Sequence, residues 1–176
     1  MEKKKLRAEP AALITECTAL KGVEKAHVLD LACGSGRNGL WFAQQGHKIT
    51  FLDRDLSQLE RDASAHQYLE WDLELEPIPQ LPKEQYDIIL VFNYLHRPLF
   101  PQIAAALKPG GIIVYETFIE KQAEIGRPRN PDFLLKTNEL KSLFDKWECL
   151  QYFEGEVHNN QTMSFKAQLI ARKPQD

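Results

Sequence analysis

The chain has 176 residues, 43% of them apolar, and a formal charge of −3. That is enough apolar content for one core, since a domain of about 150 residues buries about 70% of its unfolded surface. The charge argues against the basic face of a nucleic-acid binder, no run approaches the ~20 apolar residues of a membrane span, and the N-terminus lacks the apolar region of a signal peptide.

Cys17, Cys33 and Cys149 are odd in number and lack metal-ligand spacing, so neither a disulfide framework nor a zinc site is expected. One cytoplasmic domain over 1–176, monomeric or a homodimer, is the simplest reading.

In chain order, Lys3, Lys4, Lys5 and Arg7 form the one dense basic run, expected to be a solvated tail over residues 1–8. A first strand is predicted over His27–Leu31. A glycine-spaced turn follows from Gly34 to Gly39, then a helical segment with Leu40, Trp41, Phe42 and Ala43. A second strand spans Ile49–Asp53, and Ser57 with Glu60 forms a capping-box pattern predicted to open a helix. The third strand is predicted over Tyr68–Asp72, and Pro77, Pro79 and Pro82 punctuate a loop. Ile88–Asn93 reads as a fourth strand whose unbroken apolar run implies burial on both faces, hence a parallel sheet.

Ile112–Tyr115 is the fifth predicted strand. The stretch 119–135, rich in Gly, Pro and Arg, is too long for a tight turn and is expected to be a loop on the substrate side, able to act as a lid. Leu140, Leu143, Phe144 and Trp147 fall at helical spacing and mark the inner face of a late helix. Beyond it the period changes to two. Leu150–Phe153 and the alternation of Phe165, Ala167, Leu169 and Ala171 predict a C-terminal antiparallel pair.

The chemistry concentrates at 28–46, VLDLACGSGRNGLWFAQQG, and 48–55, KITFLDRD. Small residues at Ala32, Gly34 and Gly36 let backbone approach a ligand, and the helix that follows presents unpaired N–H groups. Asp53 stands 17 residues beyond Gly36, near where a carboxylate accepts from ribose hydroxyls. Gly34, Gly36 and Gly39 also satisfy the dinucleotide pattern GxGxxG, so an NAD-dependent oxidoreductase is an alternative. Asp30 beside the loop suits a ligand with a cationic group instead of a pyrophosphate.

With this loop, WDLE at 71–74, YDIILVFN at 86–93 and LKPGGIIVYETF at 107–118, the chain resembles the class I S-adenosylmethionine-dependent methyltransferases. Within them it is most similar to the small tellurite-resistance-type enzymes. Ala32 departs from the glycine usual at the first position of the motif. The resemblance implies a Rossmann-like, mostly parallel seven-stranded sheet ending in an antiparallel hairpin, with S-adenosyl-L-methionine as cofactor.

It further implies that Asp30, Ala32, Cys33 (through its backbone), Gly34 and Gly36 receive the methionine end. Asp53 would hold the ribose, Asp72 and the Leu73 backbone would face adenine, and Asn93 would lie near the methyl. For the three aspartates the competing role is turn or helix capping. Arg37 either contacts the cofactor carboxylate or solvates the helix start, and Arg54 either lies across adenine or faces solvent.

On the acceptor side, His96 is a candidate general base, since imidazole titrates near neutrality, or else a cap before Pro98. Tyr94 stands beside it. Arg97, Tyr115, Arg127 and Arg129 would border a small anionic substrate: a thiol, a metalloid oxyanion or a carboxylate. The rival readings are a tRNA or rRNA methyltransferase, disfavoured by the charge and by Tyr94-Leu95-His96 after Asn93, and a non-catalytic cofactor-binding protein.

Overall fold

The computed structural model describes residues 8–61, 66–160 and 162–176. Its strands are β1 (His27–Leu31), β2 (Lys48–Asp53), β3 (Gln67–Glu70), β4 (Tyr86–Phe92), β5 (Leu107–Phe118), β6 (Glu148–Asn159) and β7 (Thr162–Arg172). They form one seven-stranded sheet in the order β3-β2-β1-β4-β5-β7-β6. The first five pair in parallel, whereas β7 runs antiparallel to both β5 and β6.

Continuous apolar strands serve two cores because successive side chains point to opposite faces. On β4, Ile89 and Val91 pack with Leu29, Leu31, Phe100 and Phe144 on one face. Ile88 and Leu90 pack with Val28, Phe42, Phe51 and Ile14 on the other. The first face is covered by α3 (Phe100–Ala106) and α4 (Glu139–Leu143), and the second by α1 (Ala12–Thr15) and α2 (Arg37–Gln44). Strand order turns outward in both directions between β1 and β4, so their carboxyl ends open a crevice where a ligand can sit. Among the described residues no helix is long and apolar enough to cross a membrane.

Several boundaries differ from the sequence expectation. β3 ends at Glu70 and β4 at Phe92, which puts Asp72 and Asn93 in the loops that follow. β5 begins at Leu107 rather than Ile112, because Leu107 pairs with Tyr86 across an irregularity that carries the Pro109-Gly110 kink. β6 and β7 run past the predicted pair; their far ends are polar and exposed, so no core face imposes an alternation there.

Residues 57–59 form a turn, not the opening of a helix. The Ser57 N–H donates to Asp55 Oδ1 at 2.8 Å, so Asp55 organises this segment as an Asx turn. The basic run of the tail lies outside the described residues.

The late helix is shorter than its periodicity suggests. α4 ends at Leu143, whose side chain is exposed, while Leu140 and Phe144 are buried and Trp147 meets the Phe144 ring edge at 4.9 Å. The inner face is therefore Leu140 and Phe144 without Leu143. Phe144→Ala should cost about 3–5 kcal/mol, and Leu143→Ser should stay within about 0.5 kcal/mol. Urea unfolding monitored by circular dichroism measures both; equal losses would contradict this assignment.

Candidate active site

The turn after β1 is left-handed at Ala32 (φ 54°), Gly34 (φ 54°) and Gly36 (φ 77°). Cys33 anchors it through backbone, its N–H donating to Leu52 O at 3.0 Å and its carbonyl accepting from Gly36 N–H at 2.8 Å. The three glycines do different work. A Cβ at Gly36 would strike the Leu59 side chain, and one at Gly39 would lie 2.6 Å from Asp30 Oδ2. Those two glycines serve packing. At Gly34 a Cβ would meet nothing within 4 Å, so that residue faces open space on the ligand side.

Asp30 is buried beneath the turn, and its Oδ2 accepts the Gly39 N–H at 2.9 Å. It thereby fixes the first turn of α2 from below. Burial pushes its carboxyl up to about 7, against the Gly39 hydrogen bond and the nearby Arg37 charge, which pull the other way. Asp53 fixes the turn from the side: its Oδ2 accepts the Gly34 N–H at 2.8 Å and its Oδ1 the Asp55 N–H at 3.1 Å. Each oxygen keeps a second lone pair for a hydroxyl. The Cys33 thiol is pushed well up by burial and by the Asp30 and Asp53 charges, which removes it as a nucleophile.

A cavity of about 480 Å³ opens beside this turn, lined by Ala32, Asp53, Arg54, Asp72, Leu73, Asn93 and Tyr94 from the predicted set. Asp72 Oδ1 accepts the Glu74 N–H at 2.9 Å, which bends the chain around the cavity. Asn93 adopts φ 55°, and its N–H donates to Glu116 O at 2.8 Å, so β4 ends abruptly at the rim. Burial, then the Glu74, Asp72 and Asp53 charges, raise the Tyr94 hydroxyl far above its ordinary range. A phenol raised in this way is a poor base. An acidic, aromatic enclosure of this kind suits a ligand bearing positive charge, a sugar and a heterocycle, so the residues present fit a sulfonium nucleoside.

Other predicted residues lie elsewhere. Arg37 donates to Glu9 O at 3.0 Å and lines a second cavity against α2, with Trp41 and Pro10. Tyr115 is fully buried, and its hydroxyl donates to Tyr94 O at 2.8 Å, which makes it a strut beneath the site instead of a substrate contact.

Arg97 also leaves the substrate rim. Its Nε donates to Glu139 Oε1 at 2.6 Å, and its remaining nitrogens reach Glu139 Oε2, Asp132 O and Leu134 O. This clasp holds the 131–139 segment that brings Phe133 to the cavity. His96 does not line the cavity: its Nδ1 lies 4.0 Å from Glu74 Oε1, and its Nε2 is enclosed with no hydrogen-bond partner among the described residues.

Arg127 and Arg129 are exposed and line a depression sharing Pro128 and Phe133 with the cavity. The loop that carries them is held by the buried Gln122, which donates to Arg127 O at 2.9 Å and accepts the Phe165 N–H at 2.8 Å. Glu74, Trp71, Thr117 and Phe118 also line the cavity and were not singled out from sequence as ligand contacts. Trp71 and Glu74 were within reach, since they flank Asp72 in the WDLE segment. Thr117 and Phe118 carry no local signal.

A doubly wound sheet of this order, closed by one reversed strand, is the class I methyltransferase fold. Solved structures share it. TehB from Haemophilus influenzae matches with a TM-score of 0.72, covering 92% of this chain and 61% of that one at 23% identity. The 1,6-didemethyltoxoflavin-N1-methyltransferase of Burkholderia thailandensis, solved with 1,6-didemethyltoxoflavin and S-adenosylhomocysteine bound, matches with a TM-score of 0.61, covering 85% and 71% at 21% identity.

Residues 10–169 match the family described as Tellurite resistance protein TehB, and the chain belongs to that family. A probable S-adenosyl-L-methionine-dependent methyltransferase TehB of Haemophilus influenzae is 30% identical over 175 residues, 88% of this chain and 60% of the relative. The chain thus spans about 60% of the length of this curated relative.

Two outcomes follow from the site's geometry. The ordinary Asp value of 3.8 lies below the folded value of about 7 for Asp30, so the unfolded chain ionises first as pH rises. The stability carried by the protonated carboxyl is full below about 4 and lost as pH rises through about 7. Wild type should therefore lose stability relative to Asp30→Asn between pH 5 and 8 in denaturant titrations, and parallel curves would contradict the buried-acid assignment. Arg97→Ala should lower stability by about 1–2 kcal/mol, given the partial exposure of the pair, and speed proteolysis within 127–139. Unchanged cleavage there would remove the clasp.

Proposed function

We propose that the protein transfers a methyl group from S-adenosyl-L-methionine to a small, negatively charged acceptor: a thiolate, a metalloid oxyanion or a carboxylate. The observation that carries the reading is the cavity at the ends of β1 to β4, floored by Ala32 beside the open turn at Gly34 and walled by Asp53, Asp72 and Glu74. When bound, the cofactor supplies an electrophilic methyl on a sulfonium.

The chain's own part is to bind, orient and exclude water. The free lone pairs of Asp53 accept the ribose hydroxyls, and Asp72 with Leu73 flanks the adenine. Asn93, at the rim and next to Tyr94, borders the reacting end. Alignment of the reactants can lower the barrier by about 7–11 kcal/mol, and a dry wall strips solvent from an anionic nucleophile.

Cys33 and Tyr94 stay protonated, and the free His96 nitrogen is enclosed, so none of these serves as a ready base. That supports an acceptor that arrives already ionised. Arg127 and Arg129, exposed beyond Phe133 and with no carboxylate partner among the described residues, offer such an anion an attractive approach.

Calorimetry should detect S-adenosylmethionine and S-adenosylhomocysteine binding and none for NAD. Asp53→Ala should weaken both by about 1.5–3 kcal/mol, the worth of charge-assisted hydrogen bonds. Micromolar NAD binding without S-adenosylmethionine binding would overturn the reading.

A further inference from the structure

Tyr115 and Thr117 share one face of β5, since side chains alternate along a strand. Tyr115 is spent as a strut, its hydroxyl given to Tyr94 O. Thr117, one step nearer the open end of the sheet, is 1% exposed and lines the cavity. Its backbone is turned away from that space. The Asn93 N–H takes Glu116 O at 2.8 Å, so the next residue points its own N–H and carbonyl to the opposite side, where Thr117 pairs with Ala167 of β7. What Thr117 presents to the cavity is therefore its side chain.

The hydroxyl is unspent. Thr50, the other buried threonine, meets His27 Nε2 at 2.8 Å and donates to Gln67 Oε1 at 3.2 Å, whereas the Thr117 hydroxyl has no hydrogen-bond partner among the described residues. Nor is it sealed in: the fully enclosed side-chain atoms left without a partner among those residues are the Tyr86 hydroxyl and His96 Nε2. The Thr117 hydroxyl thus keeps an opening, and the cavity is the open space beside it. Whatever fills the cavity must meet this hydroxyl, because leaving it bare forfeits the bond that water would make. The same cavity takes an apolar lining from Leu95, Phe118, Pro128 and Phe133.

We propose that Thr117 donates a hydrogen bond to the head of the methyl acceptor, and that the acceptor is an organic anion with an apolar body, a carboxylate or a thiolate, in preference to a bare inorganic oxyanion. This rests on the methyltransferase reading and narrows its substrate class. One hydroxyl proton satisfies one head atom, and the apolar lining offers contact to carbon but nothing to the further oxygens of a selenite or tellurite. Arg127 and Arg129 lie outside Phe133, where they attract either kind of anion without discriminating between them. The acceptor's lone pair forms the new bond to the methyl carbon as the carbon–sulfur bond breaks onto sulfur, so charge is neutralised and Thr117 keeps its proton.

The test is calorimetric, on protein saturated with S-adenosylhomocysteine and titrated with sodium benzoate, sodium thiophenolate and sodium selenite. Wild type should bind benzoate or thiophenolate more tightly than selenite. Thr117→Val keeps the shape and removes the hydroxyl; it should weaken that binding about tenfold, as loss of one hydrogen bond to a charged group does, with S-adenosylhomocysteine affinity and thermal midpoint unmoved. Thr117→Ser keeps the hydroxyl and should bind within about twofold of wild type. Thr117→Ala gives the same loss as Thr117→Val and carries the test if valine disturbs the packing. A merely structural threonine would show the reverse pattern, a lowered thermal midpoint in Thr117→Val with anion affinity unchanged.

Anion binding unchanged without the hydroxyl, selenite bound more tightly than both organic anions, or no anion bound by wild type would overturn the proposal. A parallel loss of S-adenosylhomocysteine affinity would also overturn it, by assigning the hydroxyl to the cofactor. Wild type failing to bind S-adenosylhomocysteine would strike the methyltransferase reading itself, and this inference with it.

Discussion

The hydrogen bond from Gly34 N–H to Asp53 Oδ2, 2.8 Å long, ties the turn after β1 to the end of β2, and the geometry of the site depends on it. The turn needs left-handed backbone at Ala32, Gly34 and Gly36, a conformation costly for residues with a Cβ. Ala32 is the one non-glycine among them. What stabilises the arrangement is coverage from two sides, Asp53 laterally and Asp30 from beneath through Gly39. A side-chain oxygen at each point, from Asp53 and from the buried Asp30 carboxyl, holds the turn as a floor, and that floor sets how close a ligand can approach.

Charge is distributed around the cavity with a clear polarity. Asp53, Asp72 and Glu74 crowd one side, and after burial itself their charges raise the Tyr94 hydroxyl. Arg54 lines the cavity among them, and the exposed Arg127 and Arg129 lie outside Phe133. A cationic donor and an anionic acceptor would each meet the opposite sign, and their approach would be steered before contact. Leu95, Phe118 and Phe133 give the same cavity an apolar wall. The Arg97–Glu139 clasp and Gln122 tie down the segments that carry Phe133 and Arg127.

Local sequence located the turn after β1 and the strand-end residues around the cavity, because each belongs to a short strand-turn unit with its own spacing. Gly34, Asp53, Asp72 and Asn93 all fall at or just beyond the ends of strands whose apolar runs identify them. The contacts around the rest of the cavity were poorly legible. Arg97 and Glu139 are 42 residues apart, and no periodicity announces that they meet. Tyr115 looked like a site residue because it is polar and near a strand end; its hydroxyl instead faces the Tyr94 carbonyl. The Glu116–Lys166 pair depends on antiparallel register across 50 residues, which alternation along one strand cannot supply. Ser57 and Glu60 had the letters of a capping box, but Asp55 formed the turn first.

A crystal structure with S-adenosylhomocysteine tests the central claim most directly. The account predicts ribose hydroxyls within hydrogen-bond distance of Asp53, adenine beside Asp72 and Leu73, and the sulfur directed toward Asn93. A nucleoside seated against Trp41 in the second cavity, with the Asp53 carboxylate turned away from it, would contradict the account.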